Sequence, residues 1–395
     1  MEWKWYSDVI FVIFDAGNTS PVKEWSAPMS EALRSLLALT AAEGIGDMYA
    51  KKLLRHFGSA EAVMQASEKE LRRVEGIDSA RVRGLKAPVD AARIDAELEF
   101  IAKNNIRVSS ILDSSYPQRL LDNADAPPLL YSKGNVDANM SKVLAVVGSR
   151  KNTAIGKQFT EELVAGLAPY KPCIVSGLAY GIDIAAHKAA LEAGLSTIGV
   201  LAHGLDRIYP AAHREVALRM QDQGGLMTEY MSGTNPDRQN FPSRNRIVAG
   251  MCDGIIVVET AQKGGAMITA KLALSYNRQV FALPGRYNDP RSEGCNYLIK
   301  TNIAGLITSA EDVAEELGWN RGEQKQPMTV QPKLFDTLSG EEQVLYDIIS
   351  EKEGIHIDEL LIKTGMENAA LASLLLQLEF ANAISSMPGK RYRAV

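Results

Sequence analysis

Cysteine is scarce in this chain: Cys173, Cys252 and Cys295 are the three among 395 residues. They lie far apart, with no C-x-x-C spacing and no histidine pair nearby. That excludes a disulfide framework and a zinc site, and it points to a reducing cytoplasm. Long apolar runs are also missing. The segment Val9–Phe14 is too short to span a bilayer, its flank MEWKWYSD is not basic, and no small-residue cleavage site follows. Residues 1–28 therefore read as a leader ahead of a natural start at Met29, with a short N-terminal strand as the alternative. Phosphate-binding signatures are absent as well. There is no G-x-x-x-x-G-K-[ST], and no G-x-G-x-x-G follows the first strand of the central region, so neither a P-loop nor a dinucleotide site is supported.

The chain has no overall excess of positive charge; its formal net charge is −5. The distribution matters more than the total. Residues 142–300 carry 18 basic against 13 acidic side chains, residues 43–86 carry 9 against 7, and residues 333–395 carry 6 against 10. The acid is concentrated at the C-terminus, which leaves the middle able to hold a polyanion.

The first organised unit spans residues 29–88. Glu43–Gly58 and Val74–Leu85 echo each other: Gly44-Ile45-Gly46 and Gly76-Ile77-Asp78 each precede a stretch with apolar residues at helical spacing. This resembles a tandem helix-hairpin-helix, in which an h-G-h-G turn offers backbone N–H groups to a DNA phosphate. The second copy has Asp78 in place of its second glycine; a purely structural pair of hairpins is the alternative.

Residues 89–318 begin with a connector, a helix over Ala91–Lys103 followed by Pro117, Pro127 and Pro128, which forbid long helices. From Lys142 strand and helix alternate. Strands are expected over 143–148, 173–176, 197–201, 226–229, 254–259 and 280–283, implying a parallel sheet covered on both faces. Ligands of such sheets bind at the carboxyl ends of the strands. The informative loops fall there: Gly148-Ser149-Arg150, Ser176-Gly177-Leu178, His203-Gly204, Lys263-Gly264-Gly265 and Pro284-Gly285-Arg286. A polar linker (319–334) separates this domain from a winged-helix pattern over 335–395. There Ser339 and Glu342 form a capping box, and the wing carries Lys390, Arg391 and Arg393. The expected recognition helix, Glu367–Phe380, contains no Lys or Arg. This favours protein contact over base reading.

One segment stands out chemically. In FPSRNRIVAG (Phe241–Gly250), Ser243 reads as an N-cap with Arg244, Asn245 and Arg246 in the first helical turn. Cations disfavour that end of a helix unless an anion joins them. Lys263-Gly264-Gly265 is a second phosphate-cradle candidate, a tight βα turn being the plainer account. Asp183 and His187 stand i,i+4 in SGLAYGIDIAAH, which suits a hydrogen-bonded structural pair better than a catalytic dyad, since no nucleophile or third metal ligand accompanies them.

GSR, SGLAYGID-x3-H, YP after HGLDRI, FPSRNR-IVAG, GGAMITA and LPG, in that order, strongly resemble the DNA-processing protein A (DprA/Smf) family over about Ser115 to Leu317. The resemblance implies an α/β fold: an extended Rossmann-like parallel-sheet domain with an N-terminal helix-hairpin-helix domain and a C-terminal winged-helix domain. It implies no enzyme activity and no cofactor or metal. It implies a homodimer that binds single-stranded DNA and loads RecA in natural transformation. Gly148, Ser149, Arg150, Ser243, Arg244, Asn245, Arg246, Lys263, Gly264 and Gly265 are then expected to line the single-strand groove, with Phe241 or Tyr180 available to stack a base. On that expectation Arg244→Ala with Arg246→Ala weakens oligonucleotide binding at least tenfold without unfolding. Family members commonly read SGSL where this chain has Gly264-Gly265-Ala266-Met267, so two hydroxyl donors are absent. The rival reading is a nucleotide hydrolase similar to the LOG phosphoribohydrolases, whose PGGxGTxxE loop carries a catalytic Glu; here Lys271 is nearby and no acid is.

Overall fold

The computed structural model describes residues 27–319 and 340–395, apart from 353 and 382. The leader, apart from its last two residues, the linker beyond residue 319, and Ser339 with its capping box lie outside the described residues.

The N-terminal unit is helical, with helices Ala27–Ala41, Asp47–Phe57, Ala60–Gln65, Glu68–Leu71 and Ser79–Lys86. Both turn glycines have positive φ, +75° at Gly44 and +85° at Gly76. Asp78, out of pattern as a glycine substitute, has its own local use. Its carboxylate accepts the Arg81 N–H at 2.9 Å and caps the second hairpin's helix.

The central domain is a nine-stranded sheet: β1 (Arg107–Ser110), β2 (Leu129–Gly134), β3 (Val143–Val147), β4 (Cys173–Ser176), β5 (Thr197–Val200), β6 (Gly224–Thr228), β7 (Gly254–Val257), β8 (Gln279–Ala282) and β9 (Gly305–Leu306). Their order is β1-β2-β6-β5-β4-β3-β7-β8-β9. The seven strands from β6 across to β9 are parallel, while β1 and β2 extend the sheet antiparallel. Strand β3 is buried at every residue. Its alternation feeds two cores: Val143, Ala145 and Val147 pack on one face, Leu144 and Val146 on the other. The chain runs outward from β3 through β4, β5 and β6, then restarts beside β3 with β7. The β3/β7 boundary is therefore the topological switch point.

The six expected strands are all present, shifted by at most two residues at their ends. The connector holds more than the sequence pattern implies, because it contributes β1 and β2 to the sheet. Its prolines do not prevent this: Pro127 and Pro128 stand just ahead of β2, where a missing N–H breaks no ladder bond.

The C-terminal unit has its own small core, including Leu345, Ile349, Leu371 and Leu378. Three helices (Gly340–Ser350, Ile357–Thr364, Asn368–Phe380) pack with a sheet of β10 (Ile355–His356), β11 (Ile384–Met387) and β12 (Arg391–Ala394) in the order β10-β12-β11. Its wing rests on the central domain: Arg391 reaches Asp122 at 2.7 Å and the Gly389 N–H donates to the Asn277 carbonyl at 3.2 Å.

Candidate functional site

A cleft of about 800 Å³ opens at the switch point. Its walls are the loops after β3 (Gly148, Ser149, Arg150), β4 (Ala179) and β7 (Thr260, Ala261), Asp183 in the first turn of the helix Ile182–Glu192, the helix Asn240–Gly250 and the start of the helix Gly265–Ser275.

The β3 loop owes its position to one glycine. Gly181 has φ +84°, and a Cβ there would lie 2.0 Å from the Ser149 carbonyl oxygen. That carbonyl accepts the Ile182 N–H at 3.2 Å. Arg150 is exposed, and its guanidinium sits 4.9 Å over the Phe241 ring. Such a pair joins a cation to an aromatic surface in one patch. Phe241 in turn lies 6.2 Å from the half-exposed ring of Tyr209.

The helix Gly265–Ser275 enters the cleft with Gly264 as its N-cap, no capping side chain and no acid in its first turn. Its first N–H groups and the positive end of its dipole thus face the cavity. The neighbouring helix Ala154–Gly166 is different. Thr153 caps it by accepting the Gly156 N–H at 3.0 Å, and buried Glu259 accepts the Thr153 N–H at 2.8 Å, so a carboxylate already occupies that end.

Of the ten residues expected in the groove, Gly148, Ser149, Arg150, Arg244, Asn245, Gly264 and Gly265 line the cleft; Ser243, Arg246 and Lys263 do not. The helix begins at Asn240 with Gln239 as N-cap, not at Ser243. Pro242 falls at its third position, where an N–H has no intrahelical partner to lose. The arginines therefore sit in the second turn, and their roles diverge.

Arg244 is 3% exposed. It donates to the Gly177 carbonyl at 2.7 Å and to that of Val200, tying together the ends of β4 and β5. Gly177 is required for the approach, since a Cβ there would meet the guanidinium at 2.4 Å. Burial lowers the Arg244 pKa, with Asp183 nearby opposing.

Arg246 faces the other way. It pairs with Glu229, with Asp47 at 2.8 Å, and donates to the Asp125 carbonyl. This ties the first hairpin's helix to the central domain. Burial raises the Glu229 pKa despite that partner. Lys51 on the same hairpin helix is 5% exposed and donates to the carbonyls of Leu121 and Asn123, both at 2.6 Å. Burial lowers its pKa to about 8.

Asp183 and His187 do not bond to each other. Asp183 accepts the N–H groups of Gly177 and Ala179 at 3.2 and 3.4 Å, pinning the β4 loop. His187 instead meets Thr197 Oγ1 at 2.7 Å, and burial depresses its pKa to about 3. His203 and His213 are likewise buried against backbone carbonyls. Tyr180 is half exposed and stands edge-on to His213. Among the described residues no group of three or more His, Cys, Asp or Glu is placed to hold a metal ion.

The cleft also takes Arg238, Tyr209, Ile268 and Thr269, which sequence reasoning missed. Arg238 lies in the polar loop GTNPDRQN, whose pattern gives no periodicity to mark it. Tyr209 had a signal, the YP dipeptide after HGLDRI.

The fold and cleft define a Rossmann-like α/β protein with an open cleft at its switch point, flanked by two small modules of types common in DNA-binding proteins. The chain matches the family model for DNA recombination-mediator protein A over residues 107–318, the DprA winged helix domain over 331–390 and a helix-hairpin-helix tandem over 36–87. It belongs to the DNA recombination-mediator protein A (DprA/Smf) family. Protein Smf of Synechocystis is 31% identical over 90% of this chain and 97% of its own length. The DNA processing protein A structure from Streptococcus pneumoniae is 34% identical, with a TM-score of 0.64 over 72% of this chain and 97% of that one. That of Helicobacter pylori, described for its single-stranded DNA binding mode, is 31% identical over 53% and 95%, with a TM-score of 0.48. Among the described residues no helix is long and apolar enough to cross a membrane.

Proposed function

We propose that this chain binds single-stranded DNA in the switch-point cleft and acts as a homodimeric mediator that passes the strand to RecA during natural transformation. The observation that carries the reading is the uncapped helix end at Gly264-Gly265 facing Arg150 on its Phe241 ring, across one open cleft. Helix N–H groups and a guanidinium hold phosphate; exposed rings stack bases without reading them. Nonspecific single-strand binding needs this pairing and no base-edge code. The absent hydroxyls of the Gly-rich turn remove two donors but leave the backbone amides.

The hydrolase alternative lacks its acid, because the helix Gly265–Ser275 contains no Asp or Glu. A third reading, a duplex-DNA scaffold working through the hairpin and winged domains, is weakened at the wing, where Arg391 is committed to Asp122 and to the Gly354 carbonyl. Fluorescence anisotropy of labelled oligo-dT against a duplex of equal length, over a salt series, tests the proposal. Tight single-strand binding with a steep negative salt slope is expected. Equal affinity for both, or base release from a nucleoside monophosphate, overturns it. RecA filament nucleation on protein-coated DNA and sedimentation of the free protein test the two partner claims.

A further inference from the structure

We infer that the single strand leaves the cleft over the loop after β8, where Tyr287 and Arg286 form an additional nucleotide subsite. This rests on the single-strand reading above and names residues outside the cleft's own lining. The loop lies on the correct edge. Parallel β3, β7 and β8 are adjacent, so their carboxyl ends, the cleft floor and this loop share one rim. Two strand spacings, about 10 Å, separate the β3 and β8 ends, room for about three nucleotides at stacked spacing.

The loop is joined to the cleft wall. The Gly294 N–H donates to the carbonyl of Thr260, a cleft residue, at 2.8 Å. A Cβ at Gly294 would come within 2.5 Å of the Thr260 side chain.

The loop is also built to hold its shape. The Asn296 side chain accepts the Gly285 N–H at 3.1 Å and donates to the Gly285 carbonyl at 3.0 Å. The Asp289 N–H bonds to the Arg286 carbonyl at 3.1 Å and the Ser292 N–H to the Asp289 carbonyl at 2.9 Å. From this frame Tyr287 projects 92% exposed, the highest value among the described large hydrophobic side chains. It stacks on no ring among the described residues. A rigid loop presenting a bare ring loses little conformational entropy when a base stacks on it. Arg286 and Arg291 are exposed beside it. Of the two acids nearby, Asp289 accepts the Arg291 backbone N–H at 2.9 Å, and Glu293 opens the next helix.

The test compares the full chain with Tyr287→Ala, Arg286→Ala and Tyr287→Trp on a short oligo-dT that fills only the cleft and a longer one that reaches the rim. Tyr287→Ala is expected to weaken the longer oligonucleotide about tenfold, the effect of losing one stacked base, and to leave the short one unchanged. Arg286→Ala should reduce the salt slope for the longer one. Tyr287→Trp should keep its affinity and show indole quenching that requires the longer strand. Equal affinities of parent and Tyr287→Ala for the longer strand overturn the subsite while leaving the cleft intact. A parent chain that binds neither strand overturns the single-strand reading itself.

Discussion

Arg246→Ala separates a DNA ligand from a structural tie. In the folded protein the Arg246 side chain is 12% exposed and Glu229, its partner, 10%. Glu229 Oε1 has no hydrogen-bond partner, so the guanidinium is its main compensation. Removing one member of a buried pair strands the other charge, at about 3–5 kcal/mol. Against a total stability of about 5–15 kcal/mol this is a large fraction, equivalent to a fall of about 10 °C in Tm for a domain of this size. The penalty is pH-dependent. Burial already raises the Glu229 pKa above its unfolded value, and losing Arg246 raises it further. The stranded carboxyl then takes up a proton as pH falls, so the variant recovers stability toward acid and loses it as pH rises through the new pKa. Urea denaturation of parent, Arg246→Ala, Glu229→Gln and the double variant at two pH values measures the coupling. We expect the double variant to be more stable than Arg246→Ala alone and to bind oligo-dT like the parent. Unchanged stability of Arg246→Ala together with lost affinity would refute the reasoning and return Arg246 to the DNA.

Three further outcomes are expected. Arg150→Ala, at an exposed cleft position, should weaken oligo-dT binding about tenfold and lower the salt slope by about one with an unchanged melting curve; equal affinity would remove Arg150 from the site. His187 is held neutral, with its pKa depressed to about 3 from 6.5. The unfolded chain therefore binds the extra proton below pH 6.5, and stability falls as pH drops from there toward 3. The loss is about 2 kcal/mol at pH 5, and a His187→Gln variant should show a flatter acid limb in calorimetry. Gly181→Ala combines a positive φ with a Cβ 2.0 Å from the Ser149 carbonyl. It should displace the β3 loop and cut DNA affinity more than stability, and a variant that binds like the parent would show that the loop relaxes freely.

The expectation that Arg244 and Arg246 could be removed together without unfolding does not fit the structure. Arg244 holds two strand ends and Arg246 holds two domains. A helix-end arginine reads as an anion ligand only while its partners are unknown. Here the partners are backbone carbonyls and carboxylates far away in sequence.

Period and punctuation in the sequence were sufficient for the parallel strands, because a strand buried on both faces is apolar throughout and each βα turn carries glycine. They were sufficient too for two of the segments that border the cleft, Gly148-Ser149-Arg150 and Gly264-Gly265, which follow strand carboxyl ends; the loop that brings Arg238 to the cleft carried no such mark. Strands β1 and β2 stayed hidden, as short runs beside prolines carry no period of their own and pair only with partners supplied by the sheet. What tertiary structure alone decided was direction: Arg150 toward the cavity, Arg244 into the strand ends, Arg246 toward the hairpin domain, and Glu259 into one helix end while the next stays open. Side-chain direction depends on the helix register and on partners brought from across the chain, and neither is present in a local pattern.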